Sequence, residues 1–73
     1  MSQTSDVLGR FGGRVREERI ALGLSQEAFA VKCGLDRTYV SGIECGKRNV
    51  GLRNVEAIAK ALGISIKQLM DAV

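Results

Sequence analysis

The chain has 73 residues, and its 11 lysines and arginines against 8 acidic residues give a formal net charge of +3. We predict one domain spanning residues 1–73, whose small core must be well packed because neither a metal nor a disulfide is expected to support it. The chain lacks histidine, and Cys33 and Cys45 form no paired motif, which argues against a zinc site or another cofactor. No apolar run approaches the roughly 20 residues that cross a bilayer, and residues 1–10 lack a signal-peptide pattern, so we expect a cytoplasmic protein without a membrane segment.

A first helix is predicted to follow a frayed segment at residues 1–6 and to end at Gly23. Its apolar side chains recur at helical spacing and should face the core: Leu8, Phe11, Val15 and Leu22. Arg19 lies on the same stripe, and a buried guanidinium needs an acceptor. Glu44, on the inner side of a later helix, is available, so we predict a structural ion pair between Arg19 and Glu44. The alternative is that Arg19 extends to water.

Residues 25–46 are predicted to form two short helices joined by a tight turn. Ser25 can cap the first helix and Asp36 the second. Gly34 supplies the left-handed residue that ends the first helix. A leucine precedes each cap, where it can pack back onto its helix as a hydrophobic staple. Together these signals predict a helix-turn-helix.

The second helix of this motif carries a compact polar face. Its apolar residues and Glu44 turn inward, which leaves polar side chains on the outer side or its flanks: Arg37, Thr38, Tyr39 and Ser41. Arginine can bridge the two acceptors of guanine, and threonine can contact a thymine methyl group. The set therefore suits contact with base edges and phosphates. A polar face that only contacts solvent is the alternative.

Basic residues concentrate around the same helix. Between residues 37 and 53 the one acidic residue is Glu44, against four cations: Arg37, Lys47, Arg48 and Arg53. This local excess favours binding to nucleic acid, with an accidental cluster as the alternative. No nucleophile lies at readable spacing from a base, and no glycine loop is suited to a phosphate, so we expect no catalytic residue and no enzyme activity.

The two cysteines differ in their predicted surroundings. Cys33 lies on the inner stripe of its helix and should be a small core residue. Cys45 lies at the exposed end of the next helix and is expected to be a free surface thiol. A redox role for Cys45 is conceivable, but an ordinary surface residue is the simpler interpretation.

Two further helices are predicted after residue 51. The fourth should run from Leu52 to Leu62 and end at Gly63, with its inner side formed by Leu52, Val55, Ile58, Ala59 and Leu62. Ser65 and Gln68 form a capping box that starts a short last helix. That helix has more apolar residues than one small core is expected to absorb, so we predict a dimer interface formed by Ile66, Leu69, Met70 and Val73. The alternative is that these residues close the core of the monomer.

Several segments together carry a resemblance to a known family. The SQEAFA start of the motif, the glycine corner, the IE pair at residues 43–44 and the ALGI segment resemble the Cro and phage-repressor type of helix-turn-helix regulators. LDRTYVSGIE followed by KRN resembles more closely the controller proteins of restriction–modification systems, small dimers that regulate their own operon and the endonuclease gene. Similar segments occur in phage repressors and antitoxins, which stay open as alternatives, as does a protein-interaction adaptor with the same fold.

The resemblance implies an all-α, five-helix, lambda-repressor-like domain. It also implies a homodimer on a palindromic double-stranded DNA operator, with RNA polymerase as a further partner. By position in the family motif, base contacts would come from Arg37, Thr38 and Tyr39. Contacts with the DNA backbone, or contacts from the following loop, would come from Ser25, Gln26, Ser41, Arg48 and Asn49. The Arg19 and Glu44 pair matches the buried ion pair of the phage repressors.

Overall fold

The computed structural model of the chain describes residues 6–71 and residue 73. Across these residues the chain forms helices and no strand: α1 (Val7–Ala21), α2 (Gln26–Cys33), α3 (Arg37–Glu44), α4 (Leu52–Leu62) and α5 (Ile66–Met70). The predicted all-α, five-helix fold is confirmed. The expectation of fraying at residues 1–5 lies outside the described residues. Asp6 is ordered by α1, because its carboxylate accepts a hydrogen bond from the Leu8 amide at 3.2 Å.

The helix ends follow from the capping residues. The Ser25 hydroxyl accepts a hydrogen bond from the Ala28 amide at 3.0 Å, and Gly34 ends α2 at a φ of 71°. Ser65 and Gln68 form the reciprocal capping box at the start of α5. Asp36 occupies the cap position of α3, but its carboxylate makes no capping hydrogen bond. The position was therefore predicted correctly and the side-chain bond was not.

The core lies where α1 packs against α3, α4 and α5, and where α2 packs against α3 and α4. Its largest fully buried side chains are Val15, Phe29, Val40, Ile43, Ile58 and Leu69. Burying each such side chain stabilises the fold by roughly 1.5–3 kcal/mol. Two predicted core residues are exposed instead: Leu22 is 49% exposed and Leu52 is 83% exposed. Leu22 follows the last residue of α1 and Leu52 opens α4, so both lie at helix ends beyond the packed surfaces.

A glycine allows α1 to cross close to α3. Gly12 is buried, and a Cβ atom added there would lie 2.1 Å from the carbonyl oxygen of Ile43. Any side chain at this position would push the two helices apart. The close crossing determines how deeply α3 is seated, and therefore which of its sides is left at the surface.

The last helix is held on α1 by both apolar and polar contacts. Leu69 is fully buried, Arg10 donates to the Val73 carbonyl at 2.8 Å, and Arg14 donates to the Gln68 carbonyl at 3.0 Å. The prediction of Leu69 as a dimer-interface residue is wrong, because its side chain closes the core of the monomer. Ile66 and Met70 are 43% and 39% exposed and stay available to a partner.

Candidate nucleic-acid interface

An ion pair in the interior fixes the orientation of α3. The Arg19 Nε donates to Glu44 Oε2 at 2.7 Å, and Arg19 Nη2 donates to Glu44 Oε1 at 3.0 Å. The remaining terminal nitrogen donates to the Leu24 carbonyl at 2.7 Å. The two side chains are 11% and 2% exposed, so Arg19 does not extend to water. The hydrogen bond to Glu44 raises the pKa of Arg19 against the opposing effect of desolvation, which keeps the guanidinium charged.

The start of α2 is connected to the same carboxylate. Gln26 is half-buried, and its side-chain amide donates to Glu44 Oε1 at 3.0 Å. Glu44 thus accepts hydrogen bonds from α1 and from α2 while it belongs to α3. A single buried charge therefore holds the first turn of α2 and the end of α3 in one arrangement.

The outer face of α3 has the opposite character. Arg37 and Thr38, at the start of α3, are exposed, whereas Val40 and Ile43 on the inner side are each 1% exposed. The Arg37 side chain makes no hydrogen bond or ion pair to another described residue. Its guanidinium therefore keeps all five donors for an external acceptor.

Tyr39 and the loop after α3 pack against each other. The Tyr39 ring is half-buried, and its hydroxyl accepts a hydrogen bond from the Asn54 side-chain amide of α4 at 3.2 Å. The guanidinium carbon of Arg48 lies 5.7 Å from the centre of the Tyr39 ring, within range of a cation–π interaction. The loop is thus folded back over α3, and the Arg48 guanidinium lies beside that helix.

The exposed charge of residues 37–53 is more positive than the count of charged residues in that segment suggests. The four cations between residues 37 and 53 are all exposed: Arg37, Lys47, Arg48 and Arg53. Glu44, the one acidic residue in that range, is buried and compensated by Arg19. No carboxylate of the segment therefore offsets the exposed cations. Such a surface attracts a polyanion.

The starts of α2, α3 and α4 add donors for phosphate. The Ser25 oxygen accepts from the Ala28 amide, which leaves its hydroxyl hydrogen to donate elsewhere. At the start of α3 the Asp36 carboxylate makes no capping hydrogen bond, and at the start of α4 the cap residue is Gly51, which has no side chain to make one. Amide groups in an uncapped first turn favour an anion through their hydrogen bonds and the helix dipole.

Two predicted site residues, Ser41 and Asn49, make no polar side-chain contact with another described residue that would fix their role. Ser41 is half-buried on α3, and Asn49 is exposed at the edge of an apolar groove of about 150 Å³ that Val7 and Met70 also line.

The two cysteines differ in exposure. Cys45 is exposed after α3, while Cys33 is half-buried, and burial raises the pKa of its thiol to about 11. Within the described residues no group of His, Cys, Asp or Glu could hold a metal ion, and no helix is long and apolar enough to cross a membrane.

Two residues support this surface in a way that the sequence did not predict. Asn54 orients Tyr39, and Gly42 lies directly beneath the Arg48 side chain. A signal existed for Asn54, because it shares the inner side of α4 with Ile58 and a polar residue on an inner stripe requires a partner. The sequence places Gly42 on the outer side of α3, but its position beneath Arg48 was not predictable, since the approach of Arg48 depends on how the loop folds.

The fold and this basic surface together define a helix-turn-helix protein, and the comparisons with known proteins agree. The helix-turn-helix family model matches residues 15–69. The control protein C.BamHI of Bacillus amyloliquefaciens is 48% identical over 69 residues, which cover 93% of this chain and 85% of that protein. The chain belongs to the helix-turn-helix family and, within it, to the restriction–modification controller proteins.

Solved structures give the same answer at the level of the fold. The crystal structure of the restriction–modification controller protein C.AhdI from Aeromonas hydrophila matches with a TM-score of 0.83 and 53% identity, covering 85% of this chain and 94% of that chain. The controller protein C.Esp1396I, crystallised as a tetramer in complex with its natural 35 base-pair operator, matches with a TM-score of 0.81 and 36% identity. That match covers 88% of this chain and 84% of the other.

Proposed function

We propose that this protein is a sequence-specific transcriptional regulator that binds a palindromic operator as a homodimer and controls the genes of a restriction–modification system. The observation that carries the proposal is the exposure of all four cations between residues 37 and 53, on α3, the loop after it and the start of α4, while the one carboxylate of that segment, Glu44, is buried. Membership of the controller-protein family supports the same reading. The protein acts by binding DNA in the cytoplasm rather than by catalysing a reaction.

Base reading is assigned to the start of α3. Arg37 is exposed and without a partner among the described residues, so its fork can donate to both acceptors of a guanine in the major groove. Thr38, also exposed, can contact a thymine methyl group or a base edge. Tyr39 lies on the flank of the helix, where its hydroxyl can reach the backbone or the edge of a base. A helix-turn-helix places these residues in the groove by the N-terminal end of its second helix.

Phosphate binding is assigned to the helix starts and the loop. The free hydroxyl hydrogen of Ser25, the second amide hydrogen of Gln26 and the hydroxyl of Ser41 can donate to phosphate oxygens on either side of the groove. Arg48 and Asn49 extend the contact along the loop. These groups set the register of the protein on the duplex, whereas α3 supplies the discrimination between sequences.

A second copy of the chain is assigned to the apolar surface around α5. Ile66 and Met70 are partly exposed, Val7 is 48% exposed, and Met70 and Val7 line the same apolar groove. Val73 packs partly against the core at the edge of this surface. Isologous pairing of such a surface gives the two-fold symmetry that a palindromic operator requires. A regulator bound to such an operator near a promoter would come into contact with RNA polymerase.

Selection of binding sites from random DNA tests the proposal. Wild-type protein is incubated with a pool of randomised duplexes, and bound DNA is recovered and amplified through several rounds. We expect enrichment of two inverted half-sites, with centres about one helical turn apart or a multiple of it. The selected duplex should bind at least about 1000-fold more tightly than a scrambled duplex at the same salt concentration. Equal affinity for both duplexes would contradict the proposal.

A further inference from the structure

The space above Gly42 is occupied by the side chain of Arg48. A Cβ atom built on Gly42 would lie 2.9 Å from Arg48 Cγ and 3.0 Å from Arg48 Nε. Gly42 is a residue of α3, where glycine weakens the helix relative to alanine. Because Gly42 has no side chain, the helix surface has a slot at this position, and the aliphatic part of Arg48 lies in it.

The other side of Arg48 is bounded by Tyr39, which is itself held from behind. The guanidinium lies 5.7 Å from the ring centre, and the ring is fixed by the hydrogen bond from Asn54 to its hydroxyl. Because that hydroxyl accepts from Asn54, its own hydrogen is left to donate to an external acceptor. The slot at Gly42 and the Tyr39 ring thus constrain the Arg48 guanidinium, and the Asn54 amide orients the Tyr39 hydroxyl.

We propose that Gly42 and Asn54 are positioning residues that hold Arg48 and Tyr39 as a preassembled DNA-contacting pair. This inference rests on the proposed function, because the pair is useful only if α3 faces DNA. A free arginine loses rotamer freedom when it is immobilised at an interface, and a side chain ordered beforehand avoids most of that loss. The pair therefore increases affinity for the operator without adding a contact.

Gly42→Ala is the direct test. The new methyl group must displace Arg48, whereas the helix itself gains from the replacement of glycine by alanine, so the variant should unfold at the same temperature as wild type or higher. We expect about a 3- to 10-fold loss of affinity for the duplex selected by the wild-type protein. Gly13→Ala in α1 is the matched control, because a Cβ atom there has nothing within 4 Å. It should gain similar helix stability and bind like wild type.

A double-mutant cycle separates positioning from direct contact. If Gly42 acts through Arg48, then Gly42→Ala should change affinity less than about 2-fold when Arg48→Ala is already present. An undiminished loss in the Arg48→Ala background would mean that the backbone at Gly42 itself approaches DNA, and it would overturn the proposal. Wild-type affinity in Gly42→Ala would overturn it as well.

Asn54→Ala provides a second test, which does not depend on whether Gly42→Ala folds. Asn54→Ala should weaken binding to the selected duplex, and this loss should disappear in the Tyr39→Phe background, where no hydroxyl remains to be oriented. Equal losses in both backgrounds would contradict the positioning role. Failure of the proposed function is distinguishable, because in that case wild-type protein selects no duplex from the random pool.

Discussion

The two faces of α3 differ in how completely the fold uses them. On the inner face Val40 and Ile43 are each 1% exposed, and Glu44 accepts hydrogen bonds from both Arg19 and Gln26. On the outer face Arg37 is exposed, and its side chain makes no polar contact within the described residues. One helix therefore separates the two tasks: inner residues fix its orientation, and outer residues are left for a ligand. Substitutions should separate in the same way, into losses of stability and losses of affinity.

The largest effect is expected inside, at the ion pair. Arg19→Met should lower the free energy of unfolding by roughly 3–5 kcal/mol, because it leaves the Glu44 charge buried without its cation. Urea denaturation monitored by circular dichroism measures the change. The double variant Arg19→Met with Glu44→Leu should recover much of the loss, since it removes both charges. A near-neutral single variant would mean that the pair does not hold α3 in solution.

The next comparison concerns two neighbouring residues of α5. Leu69→Ala should destabilise the monomer by about 2–5 kcal/mol, because it empties a fully buried site. Met70→Glu, at a partly exposed residue, should leave the fold intact but shift the protein from dimer to monomer in sedimentation experiments at micromolar concentration. It should also weaken operator binding, because two half-sites no longer act through one effective concentration. A dimer that is unaffected by Met70→Glu would place the interface elsewhere.

Gln26 lies between the two faces, so its replacement should show both kinds of effect at reduced size. Gln26→Ala removes one hydrogen bond to Glu44 and should cost about 1 kcal/mol of stability. It should also weaken binding to selected and scrambled duplexes by similar factors, because a phosphate contact carries no sequence information. A loss confined to the selected duplex would instead make Gln26 a base reader.

The smallest effect distinguishes the two cysteines. Cys33 has a pKa of about 11, so only about one in a thousand of its thiols is ionised at about pH 8. Iodoacetamide should therefore modify exposed Cys45 first, and modification of Cys33 should speed up as the pH rises toward its pKa. Mass spectrometry of timed samples locates the label. Equal rates at the two cysteines in the folded protein would contradict the burial of Cys33.

Features determined by local sequence were predictable. The cap at Ser25 and the left-handed Gly34 depend on a few neighbouring residues, so the ends of α2 follow from the sequence. The partnership of Arg19 with Glu44 was also predictable, although the two are distant in the chain. Both fall on apolar stripes, and a buried charge on one stripe requires its opposite on another.

Features determined by tertiary distance were not predictable. Periodicity assigned Leu52 to the core, and the surplus of apolar residues in the last helix assigned Leu69 to an interface. Burial depends on where each helix lies relative to its neighbours, and both assignments were wrong. The slot at Gly42 and the amide of Asn54 depend on the path of the loop after α3. The approximate location of the DNA-binding surface could thus be predicted, whereas the support behind its side chains could not.

The affinity of Arg37→Ala for two duplexes tests most directly whether the outer face of α3 reads bases. Fluorescence anisotropy titrations of wild type and variant are made with the selected and a scrambled duplex at one fixed salt concentration. We expect Arg37→Ala to lose about 1–3 kcal/mol of binding free energy on the selected duplex and little on the scrambled duplex, with a relaxed preference at one base pair in each half-site and unchanged stability. An equal loss on both duplexes would contradict this expectation, because Arg37 would then bind phosphate and the outer face of α3 would not read bases through it.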